Sequence, residues 1–520
     1  MRDHRPWAAA LTLLAVLVTG ACSTPQAPPL RPAASDAHPD PAPTEKPPSA
    51  ELQPYYHQRL EWDECGDGYQ CAKLQVPLDY DKPDGERIQL SVNRLRAGNM
   101  AQRIGAILLN PGGPGGSGIA YARAATSVLS TKIRDRFDVV GFDPRGVGDS
   151  SPVRCLSTER LDAYLATDNT PDSADETKEL EKSAREFADG CQAGAGRLLP
   201  HVGTVNAARD IDVLRSALGE PKLTYLGKSY GTYLGAVYAD LFPKRVRALV
   251  LDGAVDPALD PVDLNLSQAK GFEVAMRAFV QDCFQQRPDC PFKARTVNGA
   301  LDELAELLRR TDREPLRNSA NDGRQITEAW ASLGVITPLY DRRSWPALRQ
   351  ALSTAFKGEG TALLRMADIL VDRRQDGTYS NQAEANMAIN CVDGKFPQST
   401  DAFTEAAERA AKDAPRFGES VMWGSLPCAF WPARATPAPD PLEAKGAPPI
   451  LVVGTERDPA TPYRWAKALA ATLSSGVLLG FDGDGHTAYM TGSPCIDGHV
   501  DTYLLTAKPP PPNTRCPAII

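Results

Sequence analysis

The stretch from Leu223 to Ala236, Leu-Thr-Tyr-Leu-Gly-Lys-Ser-Tyr-Gly-Thr-Tyr-Leu-Gly-Ala, constrains this chain more than any other. Leu223 to Leu226 has the length and the β-branched or aromatic content of a strand, and a helical pattern begins after Ser229. Gly-x-Ser-x-Gly at such a junction is a nucleophile elbow: the serine takes a strained backbone conformation that lifts its hydroxyl above the sheet edge. Gly227 and Gly231 carry no Cβ, so strand and helix can close around it. Gly227-Lys228-Ser229 also looks like the tail of a phosphate-binding loop, but Lys222 stands where that loop needs a glycine.

Around this centre the strand signals alternate with helices. Ala72 to Leu78 and Arg87 to Arg94 flank a turn at Asp81 to Gly85 and read as a hairpin. Ile104 to Leu109 and Phe137 to Phe142 are continuous apolar runs, the mark of strands covered on both faces. Val205 to Leu218 is helical, and Arg247 to Leu251 is a strand. From Asp256 to Ala447 the chain reads mainly as helix and loop, with helices over Gly271 to Phe284 and Thr296 to Arg310. Strands resume at Pro449 to Val453 and Gly476 to Phe481. The expectation is a doubly wound α/β sheet with a large helical insertion.

The 520 residues carry a net charge of −8 and no basic run, which argues against nucleic-acid binding. Arg2 and Arg5 precede an apolar segment, Trp7 to Val18, too short to span a bilayer, so the start reads as an export signal. Thr19-Gly20-Ala21-Cys22 resembles a bacterial lipobox, which implies lipidation at Cys22 and attachment to the outer face of a membrane, with some protein released. Residues 23–54, rich in Pro, Ala and Ser, read as a tether. Ten cysteines remain, and an even number outside the cytoplasm reads as disulfides. Spacing alone leaves their connectivity open. Neighbour-with-neighbour pairing is expected: Cys65–Cys71, Cys155–Cys191, Cys283–Cys290, Cys391–Cys428 and Cys495–Cys516. No metal site is expected, since no C-x-x-C pair or histidine cluster accompanies them.

A serine nucleophile needs a base, and the base needs a carboxylate to hold its tautomer. In a sheet with this elbow the order is Ser, acid, His, which removes His57 and His201 because both precede Ser229. His486 follows the strand Gly476 to Phe481 directly, whereas His499 has no strand leading to it. The acid leaves the end of the preceding strand, where Glu456 and Asp458 both fit and Thr461 stands near enough to orient the loop. A calcium-loop reading of Asp482 and Asp484 fails at His486, where a further oxygen ligand is required. Oxyanion donors are expected from the backbone N–H of Tyr230 and, in the glycine-rich loop Asn110 to Gly118, of Gly113. A dinucleotide-binding role for that loop lacks the acidic-ended second strand. Asp143 and Arg145 read as structural residues beside the site.

Six segments in order, Asn110 to Gly118, Phe142 to Ser150, Gly227 to Gly231, Leu251 to Pro257, Gly454 to Pro462 and Gly485-His486-Thr487, resemble the secreted tripeptidyl aminopeptidases of actinobacteria, close to their mycobacterial lipoprotein members. The resemblance runs from about residue 60 to the C-terminus. It implies an α/β-hydrolase fold with a large, mainly helical cap inserted between strands 6 and 7. It selects Asp458 over Glu456, so that Ser229, Asp458 and His486 form the triad. The implied activity is release of short, tripeptide-sized N-terminal peptides through an acyl-enzyme, with esterase activity on small esters. The implied layout is a signal over 1–22, a tether over 23–54, core over 55–258 and 448–520, and a cap over 259–447.

An exopeptidase must recognise a free amine, and the cap segment Ala388 to Asp393 offers Asp393, with Glu384 as a second candidate. Neither a metal nor an organic cofactor is called for. The expected partners are a peptide or protein with a free N-terminus and a membrane, and the expected state is a monomer. The rival readings are a carboxylesterase on the same fold and a non-catalytic binding lipoprotein.

Overall fold

The two apolar runs beginning at Ile104 and Phe137 lie inside a ten-stranded sheet in the computed structural model, which describes residues 47–286, 288–434 and 436–518. Cys22, the export signal and most of the tether lie outside the described residues. In chain order the strands are β1 (Asp63–Glu64), β2 (Tyr69–Pro77), β3 (Arg87–Leu95), β4 (Gly105–Asn110) and β5 (Phe137–Phe142). Then follow β6 (Leu223–Lys228), β7 (Val246–Asp252), β8 (Ile450–Arg457), β9 (Gly476–Asp484) and β10 (Thr514–Cys516). Their spatial order is β1-β2-β3-β5-β4-β6-β7-β8-β9-β10. The pairs from β1 to β5 along that order are antiparallel and all the rest parallel.

Strand periodicity accounts for the unbroken apolar runs. Along β4, Ala106 and Leu108 enter the core on one face, while Ile107 and Leu109 enter a separate core on the other. In β5, Val140 and Phe142 face the first core and Phe137 and Val139 the second. A strand with helices on both faces has no side that favours polar residues.

The long helical insertion lies between β7 and β8, one place later than in a count that omits the short strand Asp63–Glu64. It begins with the helix Pro261–Gln285, whose Asp260 caps the N-terminus by accepting from the Asp263 N–H. The helix Val297–Arg313 buries Ala300, Leu301, Leu304, Leu307, Leu308 and Thr311, a single stripe at helical spacing. A second helical excursion, Thr158–Ala166 and Ala174–Ala195, separates β5 from β6 and carries no strand-like signal. The ten cysteines pair as Cys65–Cys71, Cys155–Cys191, Cys283–Cys290, Cys391–Cys428 and Cys495–Cys516. Among the described residues no helix is long and apolar enough to cross a membrane.

One inserted helix, Gln382–Asp393, is stitched to the loops that leave β4 and β5. The Asn386 side chain donates to the Pro114 carbonyl at 2.9 Å. The Asn381 side chain donates to Gly146 O and Val153 O and accepts from the Gly148 N–H. Insertion and sheet edge therefore meet at the glycine-rich loop.

Candidate functional site

Ser229 sits between β6 and the helix Tyr230–Leu241 with φ 55° and ψ −127°, a conformation L-residues rarely hold. Such strain costs about 1–3 kcal/mol and persists only where the surroundings impose it. Here they do. The Ser229 N–H donates to Asp252 O at 2.9 Å, and its carbonyl accepts from the N–H and the hydroxyl of Thr232. A Cβ on Gly227 would lie 2.3 Å from the Gly231 carbonyl oxygen, so the elbow closes only with glycine there. As first residue of its helix, Tyr230 presents an N–H with no intrahelical partner.

The glycine-rich loop packs directly on this elbow. A Cβ on Gly112 would fall 2.4 Å from Lys228 O and 2.9 Å from the Ser229 Cβ. The Gly112 N–H is committed to the Asn110 side-chain oxygen at 2.9 Å, which leaves the next peptide N–H, that of Gly113, as the loop's candidate donor toward the serine. Asn110 is the buried last residue of β4, and its role has no signature in the sequence.

Asp458 follows β8 and is buried. Its carboxylate lies 2.9 and 3.0 Å from His486 Nδ1 and accepts from the N–H groups of Ala460, Thr461 and Thr487. The Thr461 hydroxyl donates to Asp458 Oδ2 at 2.9 Å and stands 3.3 Å from His486 Nδ1. With so many donors the carboxylate is fixed in place. Glu456 points elsewhere, to Arg515, while Asp482 and Asp484 pair with Arg457. The His486 N–H donates to the Tyr340 carbonyl at 2.7 Å, and the two rings meet edge to face at 5.4 Å. Burial and the negative charge of Asp458 push the Tyr340 hydroxyl above its ordinary range, so it stays neutral. A Cβ on Gly253 would reach His486 Cε1 at 3.2 Å, which sets the ring over the end of β7, the strand that holds the Ser229 N–H.

The two acids offered for amine recognition differ. Glu384 is buried, and its Oε1 accepts from the N–H groups of Cys155 and Leu156 at 2.6 and 2.9 Å. It anchors the helix Gln382–Asp393 to the loop after β5. Asp393, at the far end of that helix, accepts from the Thr204 N–H at 3.1 Å and from its hydroxyl at 2.6 Å. Thr204 Oγ1 in turn contacts the Tyr230 hydroxyl at 2.5 Å, so one side chain separates Asp393 from the residue that follows Ser229. Burial pushes its carboxyl up to about 6, offset only in part by Thr204. Asp143 and Arg145 are structural. Asp143 accepts from the Ser117 hydroxyl at 2.6 Å, and fully buried Arg145 forms a two-pronged pair with Asp210 at 2.7 Å.

A serine held at a strand end, an imidazole oriented by a buried carboxylate, and backbone N–H groups beside the serine are the parts acyl transfer requires. The model of the TAP-like protein family matches residues 414–516, which include Asp458 and His486. The chain is 39% identical over 484 residues to the serine protease Hip1 of Mycobacterium tuberculosis, covering 89% of this chain and 92% of that protein. It is 35% identical over 470 residues to the tripeptidyl aminopeptidase of Streptomyces lividans, covering 88% and 86%. To the carboxylesterase B of M. tuberculosis it is 36% identical over 459 residues, with 86% of each chain covered.

Proposed function

The chain belongs to the tripeptidyl aminopeptidase-like α/β-hydrolases, and from that premise we propose that it is a serine exopeptidase whose triad is Ser229, Asp458 and His486. The observation that carries the reading is the 2.9 Å contact between His486 Nδ1 and Asp458 on the sheet edge that bears the Ser229 elbow. It fixes the tautomer that leaves Nε2 free to take a proton.

Ser229 Oγ attacks the scissile carbonyl carbon as its proton passes to His486 Nε2. The carbonyl π pair moves onto oxygen, which accepts from the N–H groups of Tyr230 and Gly113. Collapse of the tetrahedral adduct expels the amine, which takes the proton from His486, and leaves an acyl ester on Ser229. Water then repeats the sequence and releases the N-terminal peptide. Small esters follow the same route with an alcohol as leaving group, and the relative named carboxylesterase B favours that as the second reading.

Recognition of the free amine falls to Asp393, because among the described residues its carboxylate faces only the Thr204 donors. Glu384, with Oε1 already holding two backbone N–H groups, keeps the helix in place. Release of three residues follows the name of the Streptomyces relative. Lipidation at Cys22 and a place on the outer face of the membrane rest on the export signal and the Thr19-Gly20-Ala21-Cys22 motif. Substrates are then extracytoplasmic peptides or proteins with free N-termini, handled by a monomer.

The test is turnover of tripeptide anilides with free and acetylated N-termini, beside a short-chain ester, with Ser229→Ala as control. Cleavage of the free-amine anilide, lost in the control, is expected. Ester cleavage with no anilide cleavage would sink the exopeptidase reading.

A further inference from the structure

A buried ion pair beneath the nucleophile takes no part in the acyl-transfer steps. Lys228, last residue of β6 and neighbour of Ser229, sends its ammonium under the sheet edge. Its Nζ donates to Tyr489 O at 2.8 Å and to Thr487 Oγ1 at 3.3 Å, and lies 3.7 Å from Asp252 Oδ2. Asp252, last residue of β7, is wholly buried. Its carboxylate accepts from the Ala488 N–H at 2.9 Å and the Tyr489 N–H at 3.0 Å. Its backbone carbonyl holds the Ser229 N–H at 2.9 Å. Residues 487–489, which the pair grips by four backbone or hydroxyl groups, follow His486 directly.

A loop of this kind has no strand pairing to place it, so these contacts set where the imidazole stands. We propose that Lys228 and Asp252 are a positioning pair for His486: they pin its loop to the serine elbow, and their mutual neutrality leaves the imidazole facing no net buried charge from below. This rests on the reading of Ser229 and His486 as nucleophile and base.

The charged and titratable groups around the ring are few. Asp458 faces it from the end of β8 and Tyr340 from the helical insertion. Asp252 and Lys228 lie beneath, with Tyr121 and Asp497 behind them. Burial acts to lower the Lys228 ammonium, but Tyr121 and Asp252 outweigh it and hold the group above its ordinary value. Burial raises the Asp252 carboxyl, opposed by Lys228, by the N–H groups of Tyr489 and Ala488 and by His486. Removing either partner leaves the other as an uncompensated charge close to the ring.

The signs are opposite for the two partners. In Lys228→Met the remaining carboxylate favours imidazolium, so more base is needed to free the imidazole. In Asp252→Asn the remaining ammonium disfavours imidazolium. The experiment is the pH profile of kcat/KM on a free-amine tripeptide anilide for the parent, K228M, D252N, the double variant, K228R, S229A and H486A. The acidic limb is expected to move up by about half a pH unit or more in K228M and down by a similar amount in D252N. It should return to the parent position in the double variant, with kcat reduced about tenfold through the loosened loop. K228R should recover most of that kcat.

Limbs that stay put, or move the same way in K228M and D252N, would overturn the pair's role while S229A and H486A remain inactive. Full turnover by S229A would instead overturn the acyl-transfer reading itself. Thermal unfolding shows which variants fold, and if K228M does not, D252N and the double variant still give the sign and its cancellation.

Discussion

The strand ends and the helical insertion treat buried charge differently. At the strand ends each buried acid has a cation or a full set of donors: Asp252 has Lys228, and Asp458 has His486 with three backbone N–H groups. On the helical side two places are left wanting, although Asp368 there has Arg324 at 2.6 Å. Among the described residues Asp393 has only Thr204 as donor, and burial pushes its carboxyl up to about 6. Asp168, Asp312 and Glu328 have oxygens within 4.8 Å of one another, and burial pushes Glu328 up to about 7. A balanced edge holds its geometry across pH. An unbalanced one changes charge near neutrality and suits a cation that arrives with the substrate.

Three experiments bear on that contrast. Asp458→Asn attacks the balanced side directly, because the amide favours the wrong imidazole tautomer. Anilide kcat should fall about ten-thousand-fold with KM little changed. A loss below tenfold would mean that the carboxylate is not what orients His486.

Asp393→Asn tests the unbalanced side at the proposed amine site. The preference for free-amine over acetylated anilide should fall about a hundredfold, the worth of one desolvated charge pair. In the parent, KM for the free-amine substrate should climb as pH drops below about 6, because the protonated acid no longer attracts an ammonium. An unchanged preference in the variant would move the amine site elsewhere.

Glu328→Gln gives the smallest effect, on stability alone. A carboxyl raised from 4.5 to about 7 contributes most below 4.5 and progressively less as pH rises through 7. Glu328 is only partly buried, so the loss is about 1–2 kcal/mol once solvent screening is allowed for. Glutamine can still accept from Thr170, whose hydroxyl lies 2.8 Å from Glu328 Oε2. At pH 8 the variant should melt about 2 °C higher than the parent and at pH 4.5 no higher. Equal shifts at both pH values would show that the acid's charge is not the cause.

Much of the sheet was legible because its strands announce themselves twice, by two-face apolarity and by what ends them. Phe137–Phe142 coincides with its apolar run, while β6 and β9 extend past theirs, to Lys228 and Asp484. Those polar extensions are stabilised by ladder partners on neighbouring strands, which one segment alone cannot reveal. The helices Thr158–Ala166 and Ala174–Ala195 were not legible as a separate excursion, since they run on to the helix Thr204–Ala217 without a strand between them. Glu384 and Asp393 look alike in the sequence, nine positions apart on one helix. Only the loop that each carboxylate meets separates an anchor from an amine-site candidate.

By itself the sequence determined the local chemistry of this protein: a glycine-bracketed Ser229 at a strand end, a glycine-rich loop after β4, and acid and histidine after consecutive strands. These are short-range properties, set by sterics at the glycines and by periodicity within single strands. The tertiary structure alone decided which charges meet. Lys228 reaches a loop some 260 positions away only because β6, β7 and β9 bring their ends to one sheet edge. Charge pairing acts over a few ångströms of space whatever the separation along the chain, so the balance at the strand ends and the imbalance beneath the helices exist only once the chain has folded.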